Sequence, residues 1–358
     1  DKVTGKISDN TLSASGGTNS ASTGEDTETE SAVGNGITIF NNSNVDVKKN
    51  RVKDSVNNGI YADNAIGTIS ENEISKTGNF GIALYNVSNK VVVTDNVVSN
   101  SKKDGILLNN VVAEVTDNTI QDVVRHGIYA LGKSSIDIKG NKITTITENS
   151  IYLNNAVGSV SENVMSGIGN NGIYIFDSKN TDNQKTIISN NEVTQSTGHA
   201  IRVEESNYVT INSNTVSNSG KQGIHLYNAL NTEVKDCTVT VSGAESGIYV
   251  YGGSAISVDS CMLNKNVGNG IAVYNTTSTV LNANTINDAA NGILLNNAKG
   301  KATSNKITAP TERGIWMLNG TDAEVSNNTI ANAKTHGIQV SASTGTLNKN
   351  VISDSMMM

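Results

Sequence analysis

Asn58-Gly59-Ile60-Tyr61-Ala62 is the stretch whose reading decides the fold, because the chain repeats it from end to end. The phrase returns as Gly127-Ile128-Tyr129-Ala130, Gly172-Ile173-Tyr174-Ile175 and Gly247-Ile248-Tyr249-Val250. Its isoleucine stands at 37, 60, 82, 106, 128, 151, 173, 201, 224, 248, 271, 293, 315 and 338, at intervals of 22 to 24 residues with a single interval of 28. A period this regular marks a solenoid, in which each repeat buries its apolar face only against its neighbours.

A second phrase, Asn-x-aliphatic, runs in step with the first, as in Asn72-Glu73-Ile74, Asn118-Thr119-Ile120 and Asn328-Thr329-Ile330. Between the two lies a short alternating run such as Ala113-Glu114-Val115. Alternation with period two places successive side chains on opposite faces of a strand. No segment shows a helical apolar stripe, and the β-branched, Asn- and Gly-rich composition disfavours helices. The expected fold is therefore all-β: a right-handed parallel β-helix of about 14 to 15 coils, each of three short strands. Inward asparagines at one bend would lie above one another and hydrogen-bond along the axis. Cys237 and Cys261 replace that asparagine in two adjacent coils and read as stacked buried thiols, since a disulfide between neighbouring parallel strands is strained.

With 358 residues the chain reads as one solenoid domain, 1–358, with loop excursions at 13–33 and 177–185 where the pattern lapses. A net charge of −7 argues against nucleic-acid binding, and no apolar run is long enough to insert in a membrane. The absence of an initiator Met, a signal sequence and an obvious cap at either end makes it read as part of a longer surface protein, extracellular or at the cell surface.

Interior positions are apolar or Asn, so chemistry must sit on outward positions. The residues one and three places after each repeated isoleucine form two outward columns. Nine of the ten tyrosines fall there, along with Trp316 and two of the three phenylalanines. Tyr129, Tyr152, Tyr174, Phe176, Tyr227, Tyr249, Tyr251 and Tyr274 thus read as a ladder of exposed rings suited to packing on sugar rings, with the alternative that they merely stabilise the sheet. Lys102, Lys103, Arg125, His126, His199, Arg202, Lys221 and His225 gather on the middle coils. His199, Arg202, Glu204 and His225, beside the 177–185 loop, form the candidate catalytic set: a histidine or arginine for proton transfer and a cation for a substrate carboxylate or enolate. The alternative is a surface ion pair of Arg202 with Glu204 or Glu205. Asp177, Asp182, Glu204 and Glu205 are a candidate calcium set; no other cofactor and no other metal is expected.

The repeats resemble those of the right-handed parallel β-helix, pectate-lyase-like group, from Asn35 to Ile352. That group contains polysaccharide lyases, glycoside hydrolases, uronan epimerases, phage tailspikes and noncatalytic surface proteins. Asp104-Gly105-Ile106, His126-Gly127-Ile128 and Ile201-Arg202-Val203 are similar in placement to catalytic motifs of polygalacturonase-type hydrolases, which adds Asp104 and His126 to the expected substrate contacts. The paired aspartates of those enzymes are missing, Glu204 stands where a lysine is wanted, and the Asp-Pro-His of the epimerases is absent. The resemblance implies a polysaccharide partner, expected to be acidic, met either by a lyase or hydrolase or by a noncatalytic adhesin or stalk.

Overall fold

The computed structural model describes residues 3–13, 34–240, 243 and 245–355. Residues 14–33, nearly all of the first expected loop excursion, and Met356 to Met358 lie outside that set, while Ser13 closes the strand Thr11–Ser13. The fold is all-β, about 14 turns of three short parallel strands. The chain divides into two compact units, Asp1–Val157 and Gly158–Met358.

In the first unit the Gly-Ile strands pair in register. Ile60 lies against Ile82, Tyr61 against Ala83 and Asp63 against Tyr85; Ile106 lies against Ile128 and Leu107 against Tyr129. The second unit repeats the pattern: Ile201, Arg202, Val203 and Glu204 lie against Ile224, His225, Leu226 and Tyr227, and the next strand brings Tyr249 beside His225. Columns in the sequence are thus physical stripes within each unit. The inward isoleucines 60, 82, 106 and 128 of the first unit and 173, 201, 224, 248, 271, 293 and 315 of the second are fully buried.

The glycine before each isoleucine is a matter of space. A Cβ on Gly59 would stand 2.3 Å from Ile74 Cγ2 and 2.6 Å from the Gly81 carbonyl oxygen. The strand enters its coil pressed against the Asn-x-aliphatic strand, and only the smallest side chains fit; Ser150 and Ala200 are the substitutes, both buried.

Among the described residues the bends carry residues with positive φ. In the coil that starts at Ile82 these are Asn86, Asp95 and Asn100, at 54° to 55°; in the coil that starts at Ile271 they are Asn275, Ala283 and Asp288, at 53° to 55°. Asn and Asp tolerate this left-handed region better than other side-chain-bearing residues, which accounts for much of the Asn and Asp content outside the ladder.

The inward ladder forms as expected. Asn50, Asn72, Asn96 and Asn118 each donate from Nδ2 to the Oδ1 of the next coil's asparagine at 2.9 to 3.0 Å. Asn284, Asn305 and Asn328 do the same in the second unit. Cys237 and Cys261 are buried free thiols at the same station. The Cys237 contact and burial together push the Cys261 thiol up, so it stays protonated.

Candidate functional site

Two residues before each repeated isoleucine lies a station that the sequence reading did not recognise as a second ladder. In the first unit it holds Asn35, Asn58, Phe80, Asp104, His126 and Asn149; in the second, Asn171, His199, Gln222, Ser246, Asn269, Asn291, Arg313 and His336. The side chain of one coil accepts from the backbone N–H of the next: Asn35 from Asn58, Asp104 from His126, and Asn171 from His199, at 3.0 to 3.1 Å. Asp104 and His126, singled out as chemistry, therefore also hold neighbouring coils together.

In the first unit Asp104 is fully buried. Arg125 grips it from Nε and Nη2, at 2.9 and 2.6 Å. Burial pushes its carboxyl above the ordinary range against the pull of that fork. His126 Nδ1 faces the Asn149 backbone N–H at 3.4 Å, which assigns the proton to Nε2, 3.4 Å from Glu148 Oε2. Burial, then Arg125, holds this imidazole down at a pKa of about 3. Its ring meets Tyr129 and Tyr152 edge-on at 5.1 Å, while those two tyrosines stack on each other at 4.9 Å and 4°.

These rings do not form the open ladder expected from the sequence. Tyr129 and Tyr152 each have a face on the other, and Arg125 stands 5.5 Å over Tyr129. Further toward the N-terminus Phe80 packs with Tyr61, Ala83, Tyr85 and Leu107 into a small apolar cluster, so outward stations of those coils are buried. The reason lies in Phe80, an apolar ring at a polar station, which the outward columns close over.

The second unit carries the open site. His199, Lys221, Gln222, His225, Tyr227, Glu245, Tyr249 and Tyr251 line a groove of about 430 Å³. His199 and His225, one coil apart, stand 4.5 Å centre to centre. Tyr249 meets His225 edge-on at 5.3 Å, Tyr227 stacks on Tyr251 at 5.5 Å and 8°, and Tyr274 leans on Tyr249 at 5.3 Å. Gln222 Nε2 donates to Glu245 Oε2 at 2.8 Å.

Both imidazoles are held neutral. Burial, then the charges of His225, Arg202 and Lys221, lower His199 to about 3. Burial, then Arg202 and Lys221, lower His225 to about 4. Among the described residues the Nδ1 atoms of both rings are buried with no hydrogen-bond partner. Burial also pushes the Tyr249 and Tyr274 hydroxyls up, so both remain protonated.

Arg202 and Glu204 are tied to each other. Glu204 Oε2 lies 2.6 Å from Arg202 Nη2 and accepts from Tyr174 Oη at 2.6 Å, with the guanidinium 4.9 Å over the Tyr174 ring. Tyr174 in turn lies 6.0 Å from Phe176. The four expected catalytic residues thus fall into two groups: a histidine pair in the groove, and an Arg202–Glu204 ion pair on the coil of His199, with Arg202 in register with His225. The 177–185 loop leaves the bend after Phe176, where Lys179 donates to the Glu205 carbonyl at 2.6 Å, and supplies none of the groove lining given above. Asp177 pairs with Lys179 at 2.7 Å and Asp182 with Lys185 at 3.0 Å. Among the described residues no group of three or more His, Cys, Asp or Glu side chains is disposed to hold a metal ion.

Lys221, Gln222 and Glu245 were not in the expected site. Their signal was positional, one or two places from the Gly-Ile phrases at Ile224 and Ile248, on the coils that carry His225 and Tyr249.

A family model described as the right-handed β-helix region matches residues 2–113, 104–256 and 246–356. No curated protein shows a sequence match. Among solved structures, a double mutant of the periplasmic alginate epimerase AlgG is similar at 12% identity over 88% of this chain and 78% of its own, with a TM-score of 0.52. The A-module of the Azotobacter vinelandii mannuronan C-5 epimerase AlgE6 is similar at 14% identity over 88% and 90%, with a TM-score of 0.44. The Dettilon tailspike protein is similar at 15% identity over 85% and 62%, with a TM-score of 0.48. At such identities the likeness is one of fold. The family model spans nearly the whole sequence and the strands stack as it requires: the chain belongs to the right-handed β-helix family.

Proposed function

We propose that this protein engages a polysaccharide along the outward Gly-Ile face of its second unit, with the His199–Tyr251 groove as the contact. The observation that carries this reading is the groove itself: an open hollow lined by three tyrosines, two neutral imidazoles, an amide, an ammonium and a carboxylate. Concave sites that combine aromatic bodies with a few placed polar groups are what a hydroxyl-rich ligand needs. The stacked pair Tyr227–Tyr251 offers ring edges and hydroxyls as well as flat faces, so hydrogen bonding supplements ring packing. The alginate epimerase that shares the fold is a polysaccharide enzyme by its description, in keeping with this reading. An extracellular or cell-surface location is part of the same proposal, supported by the periplasmic description of the alginate epimerase that shares the fold.

Catalysis is the second reading, favoured by the two neutral histidines. An imidazole held unprotonated at neutral pH is competent as a general base, and Tyr249 or Glu245 stands on the same groove for the return of the proton. Against it, Glu204 is already taken up by the Arg202 guanidinium and the Tyr174 hydroxyl. Binding without turnover is therefore the leading form of the proposal. Affinity electrophoresis against a panel of polysaccharides, run beside an absorbance assay for unsaturated products, separates the two. Retardation without cleavage is the expected outcome. Cleavage that is lost in His225→Ala would promote the enzyme reading, and a protein that no polymer retards would end the proposal.

A further inference from the structure

The chain's charge has been placed by the structure in a way that bears on which polymer the groove takes. Resting on the reading of the groove as a glycan site, we infer that its ligand is a neutral, hydroxyl-rich polysaccharide rather than the acidic one that the gathering of basic residues suggests.

Of the eight lining residues, Lys221 is the one cation and Glu245 the one anion. His199 and His225 are uncharged at neutral pH, and the Tyr249 phenol stays protonated. The lining therefore sums to zero. The nearest further cation, Arg202, is closed off by Glu204 at 2.6 Å, and Glu204 is held there by the Tyr174 hydroxyl. Beyond the groove, the outward columns of the second unit continue as Ala272, Tyr274, Leu294, Asn296, Trp316 and Leu318, without a charge. Arg313, beside Trp316, is paired with Glu312 at 2.7 Å.

A polyuronate brings one carboxylate per sugar ring, whereas coils recur about every 4.8 Å. Lys221 can meet one such carboxylate, but each further one seated along the uncharged columns would lose water with no cation to meet it, which is strongly unfavourable. The protein's net charge of −7 adds a repulsive field. A neutral chain has no such cost and meets suitable partners: phenol hydroxyls, the Gln222 amide and the Glu245 carboxylate. A carboxylate is a good acceptor for paired sugar hydroxyls, because charge-assisted hydrogen bonds are shorter and stronger than neutral ones. A neutral ligand also closes the lyase route, since elimination across a sugar needs the acidity that an adjacent carboxyl group confers.

The purified chain is tested by affinity electrophoresis in gels containing neutral polymers (a mixed-linkage β-glucan, a galactan, a mannan) or polyuronates (polygalacturonate, alginate), between about 0.05 and 0.5 M salt. The expected result is retardation by at least one neutral polymer, changing less than about twofold across that range because no ion pair is screened. Glu245→Gln, checked for an unchanged melting curve, is expected to weaken that binding about tenfold, as loss of a charged acceptor does. Binding confined to polyuronates, screened by salt and strengthened by Glu245→Gln, would overturn the inference and leave the polysaccharide reading standing. Retardation by no polymer would overturn both.

Discussion

Asn118 shows what a single residue does in this architecture. Its side chain accepts from the Asn96 backbone and amide, both at 3.0 Å, and donates to Asn141 Oδ1 at 2.9 Å and to two carbonyls. Asn118→Ala leaves several of those groups buried without partners, each costing about 1–3 kcal/mol. The expected loss is about 2–4 kcal/mol in urea unfolding, while Lys142→Ala on the exposed neighbouring coil stays within about 0.5 kcal/mol. An Asn118→Ala protein as stable as the parent would show that the ladder carries no weight. This ladder was legible in the sequence because its residue type hardly varies. The second ladder was not, because its station changes from Asn58 to Phe80, Asp104 and His126 within four coils. Backbone N–H groups need only an acceptor there, so Asn58, Asp104 and His126 serve alike, and a reading by residue type took Asp104 and His126 for chemistry alone.

At the scale of the strand, the Gly-Ile phrase sets how tightly a coil closes. A Cβ on Gly270 would lie 2.4 Å from Ile286 Cγ2 and 2.7 Å from the Gly292 carbonyl oxygen. Gly270→Val is expected to destabilise by about 1–3 kcal/mol or more, as overpacking does, and Gly270→Ala by less, since Ala200 and Ser150 occupy the same station elsewhere. Chemical denaturation of the two variants checks the order; equal midpoints would contradict the close approach. Strand type, register and the outward columns followed from period alone. Where the columns lie open did not, because cover depends on what flanks them: Phe80 shuts the stripe around Tyr61 and Tyr85, whereas Gln222 and Ser246 leave it open beside His225 and Tyr249.

For the whole molecule, three histidines, two of them buried and His225 half-buried, dictate a pH dependence. His126 and His199 titrate at about 3 and His225 at about 4 in the folded chain, against about 6.5 when unfolded. Below pH 6.5 the unfolded chain binds more protons, so stability is complete above that value and falls as pH drops toward 4. Asp104 and Glu148, both raised by burial, act in the opposite sense and nearer the carboxylate range. The urea midpoint is expected to be lower at pH 5 than at pH 7.5, with a shallower drop in a His199→Gln/His225→Gln protein; a flat profile would contradict the neutral pair. Stacking in register is also what turns a run of tyrosines into a site, and binding tests that link most directly. Tyr227→Ala/Tyr249→Ala, compared with the parent on whichever polysaccharide retards it, is predicted to lose at least about tenfold in affinity with its melting curve intact. Undiminished binding by that double variant would contradict the account.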